Sequence, residues 1–488
     1  MAEIIAMTTL WTLADMARAM RADIVGAPAA DITGISIDTR TIEKGEAFFA
    51  LTDVRDGHDF VEAALKAGAG VAVVARAKRD RFPADAPLLV VDDVLDGLRD
   101  LARAARDRMS ARVIAVTGSV GKTGTKEALR LALSADGETH ASVASYNNHW
   151  GVPLSLARCP ADVKYAIFEI GMNHAGEITP LTKLVRPHVA IVTTVEAVHL
   201  EYFGSIEKIA DAKAEIFLGL EPDGAAVINR DNSQYERLAA AAKAAGVKNI
   251  VRFGEEASCE ARLIRVALRA DNSCVHADIL GHEVHYKLGA PGRHLVNNSL
   301  AVLAAASLAG ADLALAALAL GKLRAPAGRG ARSILHPSGG SALLIDESYN
   351  ANPASMAAAI ALLGQAETGQ LPNGSRGRRI AVLGDMLELG DDSASLHARL
   401  ANDLEAAGID LVYCSGPLMH SLFQALPSGR RGGYAGTAAE LEPAVLGAVR
   451  PGDAVMVKGS FGSKMAPIVK ALEKTYAGTP APEADAGA

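Results

Sequence analysis

The chain has 488 residues, of which 50% are hydrophobic and 22% charged, and its formal net charge is -7. At roughly 100–200 residues per domain the length suggests about three domains, and the hydrophobic share excludes a chain dominated by disorder. Acid and base are interspersed without a basic stripe, which excludes a phosphate-backbone binder and leaves nucleic acid an unexpected partner.

The N-terminus reads MAEIIAMTTLWTLADMARAM, with acid at Glu3 and Asp15 and no basic region leading into an apolar core. No signal peptide is expected from that pattern. Four cysteines (Cys159, Cys259, Cys274 and Cys414) lie far apart with no C-x-x-C pair, so reduced thiols are expected rather than a disulfide framework or a zinc site. Apolar runs such as Val113–Val116 are far too short to span a bilayer. These features together predict a soluble, cytoplasmic protein without membrane insertion.

Residues 1–108 mix strand-like runs (ITGISIDTR, GEAFFAL, GVAVVA, PLLVVDD) with helical ones (FVEAALKAG, VLDGLRDLARAARDRM). Residues 109–322 alternate VIAVTG, YAIFEIG, VAIVTTV, AAVINRD and IVRFG with helical patterns, which predicts a mostly parallel sheet covered on both faces. Between about 265 and 289 the pattern becomes two alternating strands, an antiparallel edge. Residues 323–488 begin a new α/β series: SALLIDE, RRIAVLGDM, DLVYCSG and DAVMVKGS. The turn-rich, basic stretch 368–379 reads as a solvated surface loop. The tail from about Gly478 contains only Ala, Pro, Gly, Thr and acid, and is expected to be disordered. The fold class is therefore α/β: three consecutive α/β domains, the central one built on a phosphate-binding loop and the last Rossmann-like.

The strongest local signal is RVIAVTGSVGKTGTK, residues 112–126. A buried strand ends in Gly118-Ser119-Val120-Gly121-Lys122-Thr123, and a helix follows. Glycines let the backbone turn so that its N–H groups face a phosphate at a helix N-terminus. Lys122 can then reach the β- and γ-phosphates, and Thr123 can ligate Mg²⁺. Val116 stands where the longer Walker pattern has glycine, so the motif is the shorter G-x-x-G-K-T. Glu169 closes the strand YAIFEIG, and His199 follows VAIVTTV; ligands gather beyond such strand ends. By itself a lone histidine there is more often a hydrogen-bonded loop residue than a ligand. Lys213, on the helical DAKAEIF, is by default a solvated lysine.

TGSVGKT, NNHWGVP (147–153), FEIGMNHAGEI (168–178), VEAVHLEYFGS (195–205) and AKAEIF (212–217) together resemble the Mur ligases. GRHLVNN (292–298), IDESYNANP (345–353), VLGDMLELG (382–390) and VKGS (457–460) continue the resemblance, which runs from about residue 8 to 472. It implies an ATP-dependent amide ligase of peptidoglycan synthesis. The DESYNANP and GDMLELG blocks resemble the member that adds D-alanyl-D-alanine to a UDP-N-acetylmuramoyl tripeptide through an acyl phosphate.

The resemblance also implies roles. Gly118, Ser119, Val120, Gly121, Lys122 and Thr123 would hold ATP, with Glu169 and His199 binding Mg²⁺. Lys213 stands where the family carries a carbamylated lysine, which would make it a metal ligand. His294 and Asn298 would lie near the adenine, and Arg329, Asp346 and Glu347 would approach the nucleotide on domain closure. Ser36, Asp38, Arg40, Gly57 and His58 resemble the UDP-sugar elements. A guanidinium such as Arg40 pairs bidentately with pyrophosphate, although it could equally bridge to Asp38. Asn147, Asn148, Asn350, Asn352 and Lys458 are candidate substrate contacts; for Asn350 and Asn352 turn chemistry before Pro353 competes. A monomer is the family-level expectation.

Leu295, Glu347 and Phe461 depart from the family pattern. A sister enzyme adding diaminopimelate or lysine would carry a DNPR block, absent here, and a folylpolyglutamate synthase would lack SIDTR and DGH.

Overall fold

The computed structural model describes residues 9–143, 145–198, 200–370 and 374–481. Three main sheets follow one another along the chain, beside a two-stranded pair of Trp11–Thr12 with Asp31–Ile32. In the first, β1 (Asp23–Val25), β2 (Ile35–Ser36), β3 (Ala47–Phe49), β4 (Val71–Ala75) and β5 (Leu88–Val91) lie in the order β1-β5-β4-β3-β2, antiparallel only between β1 and β5. Helices α1 (Leu13–Met20) and α2 (Val94–Arg108) cover one face, capped by Thr12 and Asp93, whose side chains accept the N–H of the third helical residue.

The second sheet contains β6 (Arg112–Thr117), β7 (Thr139–Ala141), β8 (Tyr165–Glu169), β9 (Val189–Val192), β10 (Ala225–Asn229), β11 (Asn249–Gly254), β12 (Ala261–Leu268), β13 (Ser273–Ile279) and β14 (His282–Leu288). Their order is β14-β13-β12-β11-β10-β9-β6-β8-β7. Strands β6 to β11 are parallel, and the Val, Ile, Ala and Phe residues of β6, β8, β9 and β10 are buried on both faces, as a doubly covered parallel sheet requires. The antiparallel edge extends one strand beyond expectation, because β12 joins it through a register shift between Leu263 and Arg265. Helices α3 (Lys122–Ser134), α4 (Gly151–Ala157), α5 (Ile178–Val185), α6 (Ile206–Ala214) and α7 (Arg293–Leu308) pack around it.

The third sheet comprises β15 (Ala331–Leu335), β16 (Ala342–Glu347), β17 (Arg379–Gly384), β18 (Leu411–Ser415), β19 (Arg431–Ala435), β20 (Ala454–Lys458) and β21 (Thr479–Pro480), in the order β19-β18-β17-β20-β16-β15-β21. Helix α8 (Pro353–Gln365) crosses from β16. Two expectations are corrected here. Thr479 and Pro480 pair antiparallel with Ile334 and Ser333 as an edge strand, where proline's missing donor costs little; 482–488 lie outside the described residues. The basic stretch before β17 is not simply solvated, because Arg376 pairs with Asp410 and Arg378 grips the buried Asp453. Leu371, Pro372 and Asn373 of that stretch lie outside the described residues.

The first sheet is joined to the second by an apolar seam. Leu154 and Ala157 of α4 pack in one cluster with Trp11, Ile35, Phe49 and Leu98. Trp11 Nε1 donates to Ala157 O (2.9 Å), Arg108 lies over the Trp11 ring at 3.4 Å, and Arg158 Nε donates to Ile35 O (2.7 Å). The third sheet meets the second through polar contacts: Arg329 to Ser145 Oγ (3.3 Å), Arg332 to Ala270 O (2.5 Å) and Glu201 N to Glu388 O (3.4 Å). Among the described residues no helix is long and apolar enough to cross a membrane.

Candidate active site

A cleft of about 790 Å³ opens between the second and third sheets. It lies beyond the carboxyl ends of β6, β8 and β9, where the strand order reverses about β6, the usual ligand position in such sheets. Phosphate-loop residues Ser119, Val120, Gly121 and Lys122 form its floor, and Glu347, Asn350, Asn352 and Lys458 form the facing wall.

The loop has the shape its glycines require. Gly118 has φ +147°, and a Cβ there would stand 1.9 Å from Thr193 Oγ1; Gly121 has φ +88° and N-caps α3. No side chain caps α3, so its first N–H groups face the cleft, a ready anion site. Lys122 Nζ donates to Gly118 O (2.7 Å), folding back over the loop. Burial pushes its ammonium below the usual lysine range; Glu169 opposes this and Arg329 adds to it.

Thr123 Oγ1 donates to Glu169 Oε2 (2.9 Å), while Asn147 Nδ2 donates to Glu169 Oε1 (2.7 Å). Glu169 is 1% exposed, so its oxygens can serve only groups inside the cleft. Hydroxyl and carboxylate oxygens beside a phosphate loop are the hard donors that Mg²⁺ selects. Lys213 is 3% exposed, and among the described residues no acid pairs with it. Burial, and secondarily Lys122, drives its pKa well below the usual lysine value. An ordinary ammonium there could not ligate a cation. His199 lies outside the described residues.

Other sequence-selected residues divide. His294 and Asn298 line the cleft with Arg329, whose guanidinium lies 4.2 Å over the Tyr349 ring. Lys458, 2% exposed, donates to Glu347 Oε2 (3.2 Å) and Asn350 O (3.0 Å). Asp346 does not line the cleft; its carboxylate accepts Gly328 N, Ser348 N and Ser348 Oγ, holding the turn below β16. Asn352 caps α8 in a reciprocal box with Ser355, and Asn350 Oδ1 accepts Ala351 N, so turn chemistry occupies those oxygens. Asn148 similarly accepts Gly151 N at the start of α4.

Ser36, Asp38, Arg40, Gly57 and His58 lie outside the cleft. Arg40 grips Asp38 bidentately and is 86% exposed, so the bridge forms without removing the guanidinium from solvent. Ser36 Oγ bonds the backbone of Asp38. A Cβ on Gly57 would meet Leu51 O at 2.3 Å. His58 is buried with Nδ1 on Asp56 (2.7 Å) and Nε2 accepting Ala75 N (3.0 Å), which leaves neither nitrogen for a ligand.

The sequence reading missed several cleft residues. Ser145 joins Thr123 and Arg329 across the cleft. Asn297 Oδ1 is buried without a hydrogen-bond partner beside Asn298. Glu196 lines the cleft with its carboxyl raised by burial, against a lowering bond from Thr194. A polar residue just past the apolar run of β9 was the available signal for Glu196. Asn297 gave none, since adjacent helical asparagines do not declare which one faces inward.

A phosphate loop, a buried carboxylate on its threonine and a facing wall that carries Arg329 and Lys458 beside Glu347 define a nucleotide-dependent phosphoryl- or acyl-transfer site. Three family descriptions cover most of the chain: "Mur ligase family, catalytic domain" at residues 31–106, "Mur ligase middle domain" at 116–306 and "Mur ligase, glutamate ligase domain" at 334–461. The chain belongs to the Mur ligase family. A relative from Escherichia coli named UDP-N-acetylmuramoyl-tripeptide–D-alanyl-D-alanine ligase is 34% identical over 95% of this chain and 98% of its own. A crystal structure of MurF from Acinetobacter baumannii superposes with a TM-score of 0.81 at 30% identity, covering 95% of this chain and 99% of that one. MurF ligase from Thermotoga maritima in complex with ADP gives 0.72 at 25% identity, over 91% and 98% of the two chains.

Proposed function

We propose that this protein is an ATP-dependent ligase that joins D-alanyl-D-alanine to UDP-N-acetylmuramoyl tripeptide in the cytoplasm, a step of peptidoglycan synthesis. The observation that supports it most is the cleft itself, where the phosphate loop and Glu169 face Arg329, Glu347 and Lys458 from the third sheet. The sugar nucleotide is held by the Arg40 region, and Lys458 and the 350–352 turn meet the dipeptide.

A carboxylate does not acylate an amine near neutral pH, because oxide would have to leave. The terminal carboxylate of the tripeptide attacks the γ-phosphorus of ATP, the bond to ADP breaks, and an acyl phosphate forms. The dipeptide amine then adds to the acyl carbon, phosphate departs and the nitrogen loses a proton. Lys122 and the N–H groups opening α3 neutralise the transferring phosphoryl oxygens, and Arg329 reaches the same space from the other side. Thr123 and Glu169 would hold Mg²⁺, which supplies further charge neutralisation when bound.

Lys213 reads as a carbamate precursor. Its lowered pKa leaves a neutral amine, whose nitrogen can bond to the carbon of CO₂ with loss of one proton. The resulting carboxylate puts a negative charge beside Lys122, where an ammonium is disfavoured, and supplies a metal-binding oxygen.

Phosphate release from ATP with UDP-N-acetylmuramoyl tripeptide tests this reading, with D-Ala-D-Ala, diaminopimelate, lysine or no amine. Release that requires D-Ala-D-Ala and yields the pentapeptide by mass is expected. Release driven by another amine, or by none, would overturn the substrate assignment.

A further inference from the structure

On the far edge of the second sheet, three side chains outside the cleft converge on one point. His276 on β13 stands directly opposite His285 on β14, and Glu283 is two residues before His285. Alternation along a strand puts all three on one face. That face points outward, because Val275, Ala277, Ile279, Tyr286 and Leu288 of the same hairpin are buried in the core that includes α7. Leu280 and Gly281 both take positive φ (55° and 85°), and Gly281 N donates to Asp278 Oδ1 (2.8 Å). Such a two-residue turn fixes the register that aligns the three groups.

The two imidazoles stack with centroids 4.0 Å apart and 17° between planes. Glu283 Oε1 lies 2.5 Å from His276 Nε2 and 3.8 Å from His285 Nε2. One candidate donor atom from each residue lies within 4.8 Å of the others. A histidine–carboxylate hydrogen bond alone explains His276. It does not account for the second ring, laid parallel with its nitrogen turned to the same carboxylate oxygen, an arrangement that gathers three ligand atoms around one point.

We propose that His276, Glu283 and His285 bind one divalent transition-metal ion of the zinc class. Ligands about 2.1 Å from a tetrahedral ion stand roughly 3.4 Å apart, between the two separations seen here, so side-chain rotation alone completes the site. Two imidazoles and one carboxylate suit Zn²⁺, Ni²⁺ or Cu²⁺, whereas Mg²⁺ prefers oxygen. Water takes the fourth position. Arg265, opposite His276 on β12, and Asp278 and Lys287 on the same face complete the charged surroundings. The site lies five strands from β6, about 24 Å at roughly 4.8 Å per strand, so it clamps the edge strand β14 and takes no part in catalysis.

The test uses the full chain stripped with chelator and titrated calorimetrically with Zn²⁺ in excess Mg²⁺, alongside His285→Ala and Glu283→Gln. Both substitutions fall at solvent-facing positions. The parent should take up about one Zn²⁺ per chain and each variant should bind at least about tenfold more weakly. Amide hydrogen exchange across 273–288 should slow with Zn²⁺ in the parent only. Absence of uptake in excess Mg²⁺, parent-like binding by both variants, or protection confined to other segments would each overturn the proposal.

Discussion

Lys122 and Lys213 share one buried neighbourhood, and the two amines meet different fates. Lys122 has Gly118 O and the field of Glu169 to hold a charge near the phosphates. Lys122→Met should cut kcat for ligation by about 10²–10³, the usual loss for one preorganised electrostatic donor, measured as phosphate release. Among the described residues Lys213 has no such support. The unfolded chain keeps its proton up to the ordinary lysine value of 10.5, while the folded chain releases it much lower. Between those limits the unfolded state binds more protons, so this residue makes stability rise with pH. In CO₂-free buffer Lys213→Met should therefore raise the unfolding temperature near neutral pH, and the gain should shrink as pH approaches 10.5. A gain constant across that range in calorimetric scans would contradict the buried-amine account.

At the scale of elements, helix α8 is set by its first residues. Asn352 Oδ1 accepts Ser355 N, Ser355 Oγ accepts Asn352 N, and Pro353 fills the position where no donor is needed. Asn352→Ala should destabilise the fold by about 1 kcal/mol in denaturant titration. Because the same turn lines the cleft, KM for the dipeptide should rise more than kcat falls. The strand–loop–helix unit at 112–134 was legible because all of its information is local: an apolar run, two glycines and a lysine. Asp346 and His58 were legible as polar but not as engaged, since the N–H groups and hydroxyl they bond become neighbours only once the chain has turned. For Asn352 the turn before Pro353 was the competing reading, and it is the one the cap occupies. Strand β21 escaped notice for a different reason. Its pairing uses backbone atoms alone, and a tail of Ala, Pro and Gly shows no apolar alternation to announce it.

Across the whole molecule, the first and second sheets share an apolar seam, while the third touches the second through scattered polar bonds. An acyl phosphate needs a dry site, and the third sheet is the part free to provide it. Small-angle scattering should show a smaller radius of gyration with a non-hydrolysable ATP analogue plus UDP-N-acetylmuramoyl tripeptide. An unchanged curve would argue against closure.

The seam through Trp11, Ala157 and Arg158 has one more effect. It ties the sheet that carries Arg40 to the sheet that carries the phosphate loop, so the predicted closure of the third sheet would leave the span between them unaltered. On the proposed placement of the uridine end at one and the γ-phosphate at the other, the enzyme would work as a caliper. A precursor one residue too short would leave its carboxylate stranded before the phosphorus, and one already extended would overshoot it. Chain length would thereby be measured by the scaffold, before any side chain of the peptide is inspected.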